Sequence, residues 1–109
     1  MPDKPISEKE WQKRVKAWAK ARGWMIQRTD YSPYSTPGWP DLVLCRPESK
    51  EILFVELKSN KGALRPEQEV WLRALEACDL EVYVWHPYDE KQVLAMLTSA
   101  RLLQGRGLK

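Results

Sequence analysis

The chain has 109 residues, of which 43% are hydrophobic and 30% charged, and this balance predicts a single folded domain, 1–109, with one core. Its length excludes a two-domain enzyme. The 18 basic and 15 acidic residues leave a net charge of +3, which permits nucleic-acid binding without indicating it. No apolar run approaches the roughly 20 residues of a membrane span, and no apolar signal region opens the chain, so we expect a soluble, cytoplasmic protein.

The first half of the chain predicts a helix, a strand, a loop and a hairpin. Apolar residues at three- and four-residue spacings predict a helix over 7–22, with Ser7 as its N-cap and Gly23 ending it. A short strand is expected at 24–27. Residues 29–40 carry three prolines and predict an irregular loop of a length typical of functional loops. Two β-favouring runs, 41–46 and 52–57, flank a turn-rich spacer and predict an antiparallel hairpin.

The second half predicts a helix, a strand and a final helix. Pro66 is suited to the first position of a helix that runs to about 78. A strand follows at 81–85, and Asp89 is the expected N-cap of a helix over 90–103, beyond which 104–109 should fray. Both cysteines, Cys45 and Cys78, are expected to be buried thiols. The order α-β-β-β-α-β-α predicts an α/β domain with a central mixed sheet flanked by helices. The predicted apolar stripe of the middle helix is Val70, Trp71, Ala74, Leu75 and Cys78.

The hairpin brings two acidic residues together. If it is symmetric about its spacer, residues whose numbers sum to 97 face each other, and Asp41 lies opposite Glu56. Opposed like charges are destabilising unless they are neutralised, and a divalent metal would do so. Period-two alternation places Lys58 on the face of Glu56. The two carboxylates, with a backbone carbonyl assigned to Leu57, are suitable ligands for Mg²⁺ or Mn²⁺. The residues alone leave open a surface hairpin with an ordinary charge pattern.

Four segments place this pattern in a known family. The segments 38–44, 54–59, 64–68 and 82–85 resemble the virus-type replication-repair nuclease (VRR-NUC) domain of the PD-(D/E)xK nuclease superfamily. The resemblance covers about 7–97 and implies a restriction-endonuclease-like core. It further implies that Asp41 and Glu56 bind the metal, and that Lys58 positions or activates the attacking water.

The resemblance also implies supporting residues in two helices. Family members use a glutamate from the first helix, and Glu8 is favoured over Glu10 because it shares the apolar face of the helix with Trp11. We expect Glu8 to assist catalysis and to be a candidate metal ligand. Gln68, in the first turn of the middle helix, is expected to support the site. Family members often carry a His near the position of Arg28, so this chain departs from the pattern there.

The sequence also contains candidate residues for contact with the substrate. Arg28, Lys61 and Arg65 are expected to border the site, where they would neutralise phosphates, although ordinary surface charge remains open. Aromatic residues of the loop would either stack on bases or anchor the loop to the core or to a partner subunit. His86, the only histidine, is expected to be structural or exposed. The loop aromatics in question are Tyr31, Tyr34 and Trp39.

The expected function is that of a metal-dependent, structure-specific DNA endonuclease. Stand-alone members of the family resemble Holliday-junction resolvases, which implies branched DNA as substrate, a homodimer and a phage or prophage setting. Products with 5′-phosphate and 3′-hydroxyl ends are expected from the superfamily. A non-catalytic nucleic-acid-binding module, and cleavage of flaps or RNA, remain alternatives that the sequence does not separate.

Overall fold

The computed structural model describes residues 5–29 and 36–99. Within them the chain order is the predicted α-β-β-β-α-β-α, with single-turn 3₁₀ helices at Pro47–Ser49 and Pro87–Asp89. No helix in this described part is long and apolar enough to cross a membrane. The elements are α1 (Glu8–Ala21), β1 (Met25–Arg28), β2 (Leu42–Arg46), β3 (Glu51–Leu57), α2 (Pro66–Ala77), β4 (Glu81–Trp85) and α3 (Glu90–Thr98).

The four strands form one mixed sheet in the order β1-β2-β3-β4. β1, β2 and β3 are antiparallel neighbours, whereas β4 lies parallel to β3 and is reached through α2. In the hairpin, Leu42 pairs with Val55 and Leu44 pairs with Leu53. The residue numbers of each pair sum to 97, so the predicted register and the predicted mixed sheet are both confirmed.

β3 is buried on both faces because helices cover the sheet from two sides. Leu53, Val55 and Leu57 join the core cluster to which α1 and α3 contribute. The alternate side chains face α2: Phe54 contacts Trp39, which in turn contacts Trp71 of α2. The sheet therefore separates a largely apolar layer from a second layer that contains the polar groups described below.

The ends of α1 follow the local signals in the sequence. Ser7 adopts an extended conformation, and its hydroxyl accepts a 3.1 Å hydrogen bond from the Glu10 backbone N–H. At the other end Gly23 has φ +87°, and the N–H groups of Gly23 and Trp24 donate to Lys20 and Ala19 carbonyls. This is a Schellman motif, which satisfies the last carbonyls of the helix. β1 begins one residue later than predicted.

The buried face of α2 differs from the predicted stripe. Leu75 is buried as expected, but Val70 is 67% exposed, and Ala74 is exposed as well. The buried positions are Gln68, Leu72 and Leu75, at four- and three-residue spacing. The helix is rotated relative to the prediction because Gln68 is buried against a polar partner in the sheet.

Two further expectations were wrong, and a third was right only in part. Cys78 is exposed and Cys45 is only partly buried, because Cys78 follows the last turn of α2 on its outer side. The last helix ends at Thr98, since Ser99 is extended; the remainder of the predicted helix and the 104–109 tail lie outside the described residues. Asp89 is the N-cap residue of this helix, as predicted, but its side chain makes no capping hydrogen bond; its carboxylate accepts one from the His86 backbone N–H instead.

A buried arginine joins the hairpin to α3. The Arg46 guanidinium donates to the carbonyls of Leu97 and Ser99 and forms a 2.8 Å ion pair with Glu51. It also lies 4.5 Å from the centre of the Trp24 ring. A buried charge is tolerated only when it is paired and hydrogen-bonded in this way. The network holds the end of α3 against the turn of the hairpin, far along the strands from Asp41.

Candidate functional site

Two buried carboxylates meet where the hairpin opens. Asp41 immediately precedes β2, and its Oδ2 accepts a 2.8 Å hydrogen bond from the Leu57 backbone N–H at the end of β3. Extending the register of the hairpin by one residue places Asp41 opposite Glu56. The two side chains are only 3% and 1% exposed. The like-charged pair inferred from the sequence is therefore present and is almost completely withdrawn from water.

The segment before Asp41 is held against α2 by a close backbone approach. Gly38 has φ +88°, a conformation that favours glycine, and a Cβ at this position would overlap the Glu67 carbonyl group. Next to it, the Trp39 ring contacts the Phe54 and Trp71 rings edge-on. Trp39 therefore anchors the loop to the core, which was one of the two roles expected for it. Gly38 and Trp39 together fix the distance between Asp41 and the start of α2.

Glu56 has one satisfied and one unsatisfied oxygen. Its Oε2 accepts a 2.7 Å hydrogen bond from the Gln68 amide and lies 3.9 Å from the Lys58 ammonium. Its Oε1 is buried and has no hydrogen-bond partner among the described residues. Burial, reinforced by the Asp41 carboxylate, raises the pKa of Glu56 from 4.5 to about 8, and Lys58 only partly opposes this. The Lys58 ammonium alone therefore does not offset the effects of burial and of Asp41 on Glu56.

Gln68 connects the site to the start of α2. While its amide nitrogen bonds Glu56, its Oε1 accepts a 2.8 Å hydrogen bond from the Arg65 backbone N–H. This second bond satisfies an N–H at the helix N-terminus, as the third residue of a capping box does. The predicted inward orientation of Gln68 is confirmed, since it is 5% exposed. One side chain thus caps the helix and holds a carboxylate of the site.

A cavity of about 510 Å³ opens onto these groups. Glu8 reaches it from the first turn of α1, whereas Glu10 lies 3.9 Å from Arg14 on another side of the helix. Lys9 and Gln12 also line it, and of these two Gln12 was not predicted from the sequence. Gln12 follows Glu8 by four residues, which is the helical spacing that would have identified it. The lining residues are Glu8, Lys9, Gln12, Asp41, Lys58, Arg65 and Gln68.

The three expected phosphate-binding cations are not brought to one place. Arg65 lines the cavity. Arg28 is exposed at the end of β1, and Lys61 is exposed in the turn that follows β3; neither is among the described residues that line the cavity. Tyr31 and Tyr34 lie outside the described residues. Positive charge around the cavity thus comes from Lys9 and Arg65 at its rim and from Lys58 inside.

The donor set of this site suits a hard cation with few protein ligands. Within 5–29 and 36–99, no group of three or more His, Cys, Asp or Glu side chains is arranged to hold a metal ion. Mg²⁺ is commonly held by one or two carboxylates, with water and substrate oxygens completing its shell. A cation beside Asp41 and Glu56 would neutralise the pair and give the buried Glu56 Oε1 a partner.

Comparison with known proteins supplies the family. The family model of the VRR-NUC domain matches residues 6–87, a range that contains all four strands and every residue lining the cavity. The chain belongs to the VRR-NUC domain family. A solved structure of a VRR-NUC domain aligns with a TM-score of 0.67 and 27% identity over 83% of this chain and 92% of that chain. The likeness agrees with a PD-(D/E)xK-like architecture.

A named relative agrees with a nuclease assignment. Over 52 residues, the chain is 36% identical to the Fanconi-associated nuclease 1 homolog of Schizosaccharomyces pombe. The match covers 48% of this chain but only 7% of that much longer protein. The chain therefore matches a short segment of a protein that is named as a nuclease.

Proposed function

We propose that this VRR-NUC domain is a divalent-metal-dependent endonuclease that hydrolyses phosphodiester bonds in branched DNA. The observation that carries the proposal is the buried pair of Asp41 and Glu56 beside Lys58, at a cavity open to the surface. Burying two like charges costs free energy unless a cation neutralises them. A pair placed where a phosphate has access is better explained by catalysis than by stability.

Asp41, Glu56 and the backbone carbonyl of Leu57 would hold the metal. The N–H and C=O of one strand residue point to the same side of the strand. Because the Leu57 N–H donates to Asp41, the Leu57 carbonyl also faces the strand that Asp41 precedes. Mg²⁺ or Mn²⁺ bound there would lower the pKa of a water molecule and shield the charge of the scissile phosphate.

Lys58 and Glu8 serve the attacking water. The Lys58 side chain is buried within 3.9 Å of Glu56, and its ammonium stabilises negative charge that develops on the phosphate. Glu8 lies on the α1 side of the cavity, and its charge is felt at Glu56. We assign Glu8 to orienting the water, directly or as an additional metal ligand. Gln68 keeps Glu56 in place through its 2.7 Å hydrogen bond.

The chemistry proposed is a single in-line displacement. The water oxygen attacks phosphorus, the bond between phosphorus and the 3′ oxygen breaks, and a proton is delivered to that oxygen. The products are a 5′-phosphate and a 3′-hydroxyl. Arg65 and Lys9 lie at the rim, where they neutralise flanking phosphates without reading sequence. Arg28 and Lys61, which are exposed, extend this contact along the DNA backbone.

We also propose that two copies act together. A homodimer presents two sites to a branched substrate and so cuts both strands. Support comes from the outer side of α2, where the 67% exposed Val70 lies beside Leu64 and Pro66 in an apolar groove. Sedimentation of the chain at micromolar concentration tests this: a dimer mass is expected, and a monomer at all concentrations contradicts it.

The nuclease proposal is tested with labelled four-way junction, flap and linear duplex DNA. Each is incubated with the protein in Mg²⁺, Mn²⁺ or EDTA, beside Lys58→Ala and a matched surface variant, Lys50→Ala in the distant hairpin turn. We expect metal-dependent cleavage of branched DNA that Lys58→Ala abolishes and Lys50→Ala retains. Binding without cleavage under every condition would contradict the proposal and favour a non-catalytic module.

A further inference from the structure

Two aromatic rings stack on each other directly after β4. The rings of His86 and Tyr88 are nearly parallel, with an interplanar angle of 8° and centroids 4.6 Å apart. His86 is partly buried, whereas Tyr88 is 66% exposed. One face of the tyrosine ring therefore lies on His86, and most of the side chain remains in contact with solvent. A tyrosine that served only the core would bury much more of its ring.

Hydrogen bonds fix the backbone of both residues of this stack, although Tyr88 is at the surface. The Tyr88 backbone N–H donates a 2.9 Å hydrogen bond to the Asn60 side chain. The His86 N–H donates a 2.9 Å hydrogen bond to the Asp89 carboxylate, and the His86 Nδ1 lies 3.4 Å from the same oxygen. The backbone of both residues is thus hydrogen-bonded in place and the two rings already lie on each other, which lowers the entropy cost of binding.

The stack lies beside the strand end that carries Lys58. The Lys58 backbone N–H donates a 3.1 Å hydrogen bond to the Trp85 carbonyl, and His86 is the next residue. Asn60, which holds Tyr88, follows Lys58 by two positions. Exposed Lys61 is in the same turn and provides positive charge. One pair of adjacent loops therefore carries the exposed Tyr88 ring, the Lys61 ammonium and Lys58.

We propose that Tyr88, supported by His86, binds an unpaired nucleobase of the DNA substrate by stacking. Every base has a flat face that stacks on an aromatic ring without regard to sequence. In intact duplex both faces of each base are covered by its neighbours, so the open Tyr88 ring selects DNA with a splayed or single-stranded arm. Lys61 contacts a phosphate of that arm. This inference rests on the proposed nuclease function and narrows its substrate.

The test compares two DNA probes of equal length, a splayed-arm duplex and a fully paired duplex, in EDTA so that no cleavage occurs. The variants are Tyr88→Ala, Tyr88→Phe and, as a control for loss of an exposed apolar side chain, Met25→Ala, since Met25 is 64% exposed. We expect wild type to bind the splayed arm more tightly than the duplex. Tyr88→Ala should reduce this preference about tenfold, as expected for one base–aromatic stack. Tyr88→Phe and Met25→Ala should retain it.

A fluorescence signal adds a direct measure of stacking. With 2-aminopurine at the first unpaired positions of the arm, binding of wild type should quench the fluorescence, and Tyr88→Ala should lose that quenching. An unchanged preference and unchanged quenching in Tyr88→Ala would overturn the stacking proposal. Cleavage by wild type in Mg²⁺ is measured in parallel. Lys58-dependent cleavage with no Tyr88 effect refutes stacking alone, whereas absence of both DNA binding and cleavage refutes stacking and the nuclease function together.

Discussion

The side-chain amide of Gln68 donates a 2.7 Å hydrogen bond to Glu56, while its carbonyl oxygen accepts from the Arg65 backbone N–H. One residue of α2 therefore fixes the orientation of a carboxylate in β3. This bond crosses from the helix to the sheet at the cavity, so its loss affects the site more than the core.

Replacing Gln68 with alanine should slow cleavage without eliminating metal binding. Loss of a hydrogen-bonded partner behind a metal-binding carboxylate typically lowers activity or metal affinity about 10- to 100-fold. Cleavage rates and Mn²⁺ titration calorimetry measure the two effects. The neighbouring variant Glu69→Ala, which removes only an exposed ion pair with Arg73, should match wild type. Wild-type activity in Gln68→Ala would show that Glu56 does not need this support.

The two glutamates of the first helical turn should differ in importance. Glu8 lines the cavity, whereas Glu10 lies 3.9 Å from Arg14 at an exposed position. We expect Glu8→Ala to reduce the cleavage rate at least tenfold and Glu10→Ala to change it less than twofold. Unfolding curves of the two variants should coincide, since both residues are exposed. A larger activity loss in Glu10→Ala would show that α1 presents the face of Glu10, rather than that of Glu8, to the site.

Two glycines with the same backbone conformation provide a test of site positioning. Gly38 and Gly23 have φ of +88° and +87°, but only Gly38 lies against α2 beside the site. Alanine at either position should cost about 1–2 kcal/mol of stability, since left-handed backbone strains an L-residue. Gly38→Ala should cost more than Gly23→Ala, because its Cβ would also overlap the Glu67 carbonyl group. Only Gly38→Ala should also weaken Mn²⁺ binding, by about tenfold, because it shifts Asp41 relative to Gln68. Equal Mn²⁺ affinity in the two variants would contradict this role.

The metal-free protein should lose stability as the pH rises from about 4.5 to 8. Glu56 has a pKa of about 8 in the folded chain and about 4.5 when unfolded, so the folded state retains a proton that the unfolded state releases. Across that window the free energy of unfolding should fall by at most about 1.4 kcal/mol per pH unit. Urea unfolding in EDTA at several pH values measures it.

Two conditions should remove this pH dependence. Glu56→Gln cannot ionise, so its stability should be nearly flat over the same range, apart from contributions of other groups. Saturating Mg²⁺ should do the same for wild type, because a cation takes the place of the proton between Asp41 and Glu56. A slope that persists in Glu56→Gln would show that another group controls it.

Much of the fold follows from local signals in the sequence. Ser7, Gly23 and Pro66 mark helix ends because caps and backbone restrictions act over a few residues. The hairpin register was also predictable, because a single spacer sets which residues of β2 and β3 face each other. That register brings Asp41 to Glu56, and so the central pair of the candidate site was accessible from spacing.

Other features depend on which elements meet, and only the tertiary structure decided them. The rotation of α2 that exposes Val70 and buries Leu72 follows from the partner that Gln68 finds on the sheet. The contact of Gly38 with α2 and the entry of Gln12 into the cavity join residues far apart in the chain. The spacing of apolar residues shows that a helix has an apolar side, but several rotations of the helix about its axis fit that spacing almost equally well. Packing against a specific surface selects one, and that surface exists only once the chain has folded.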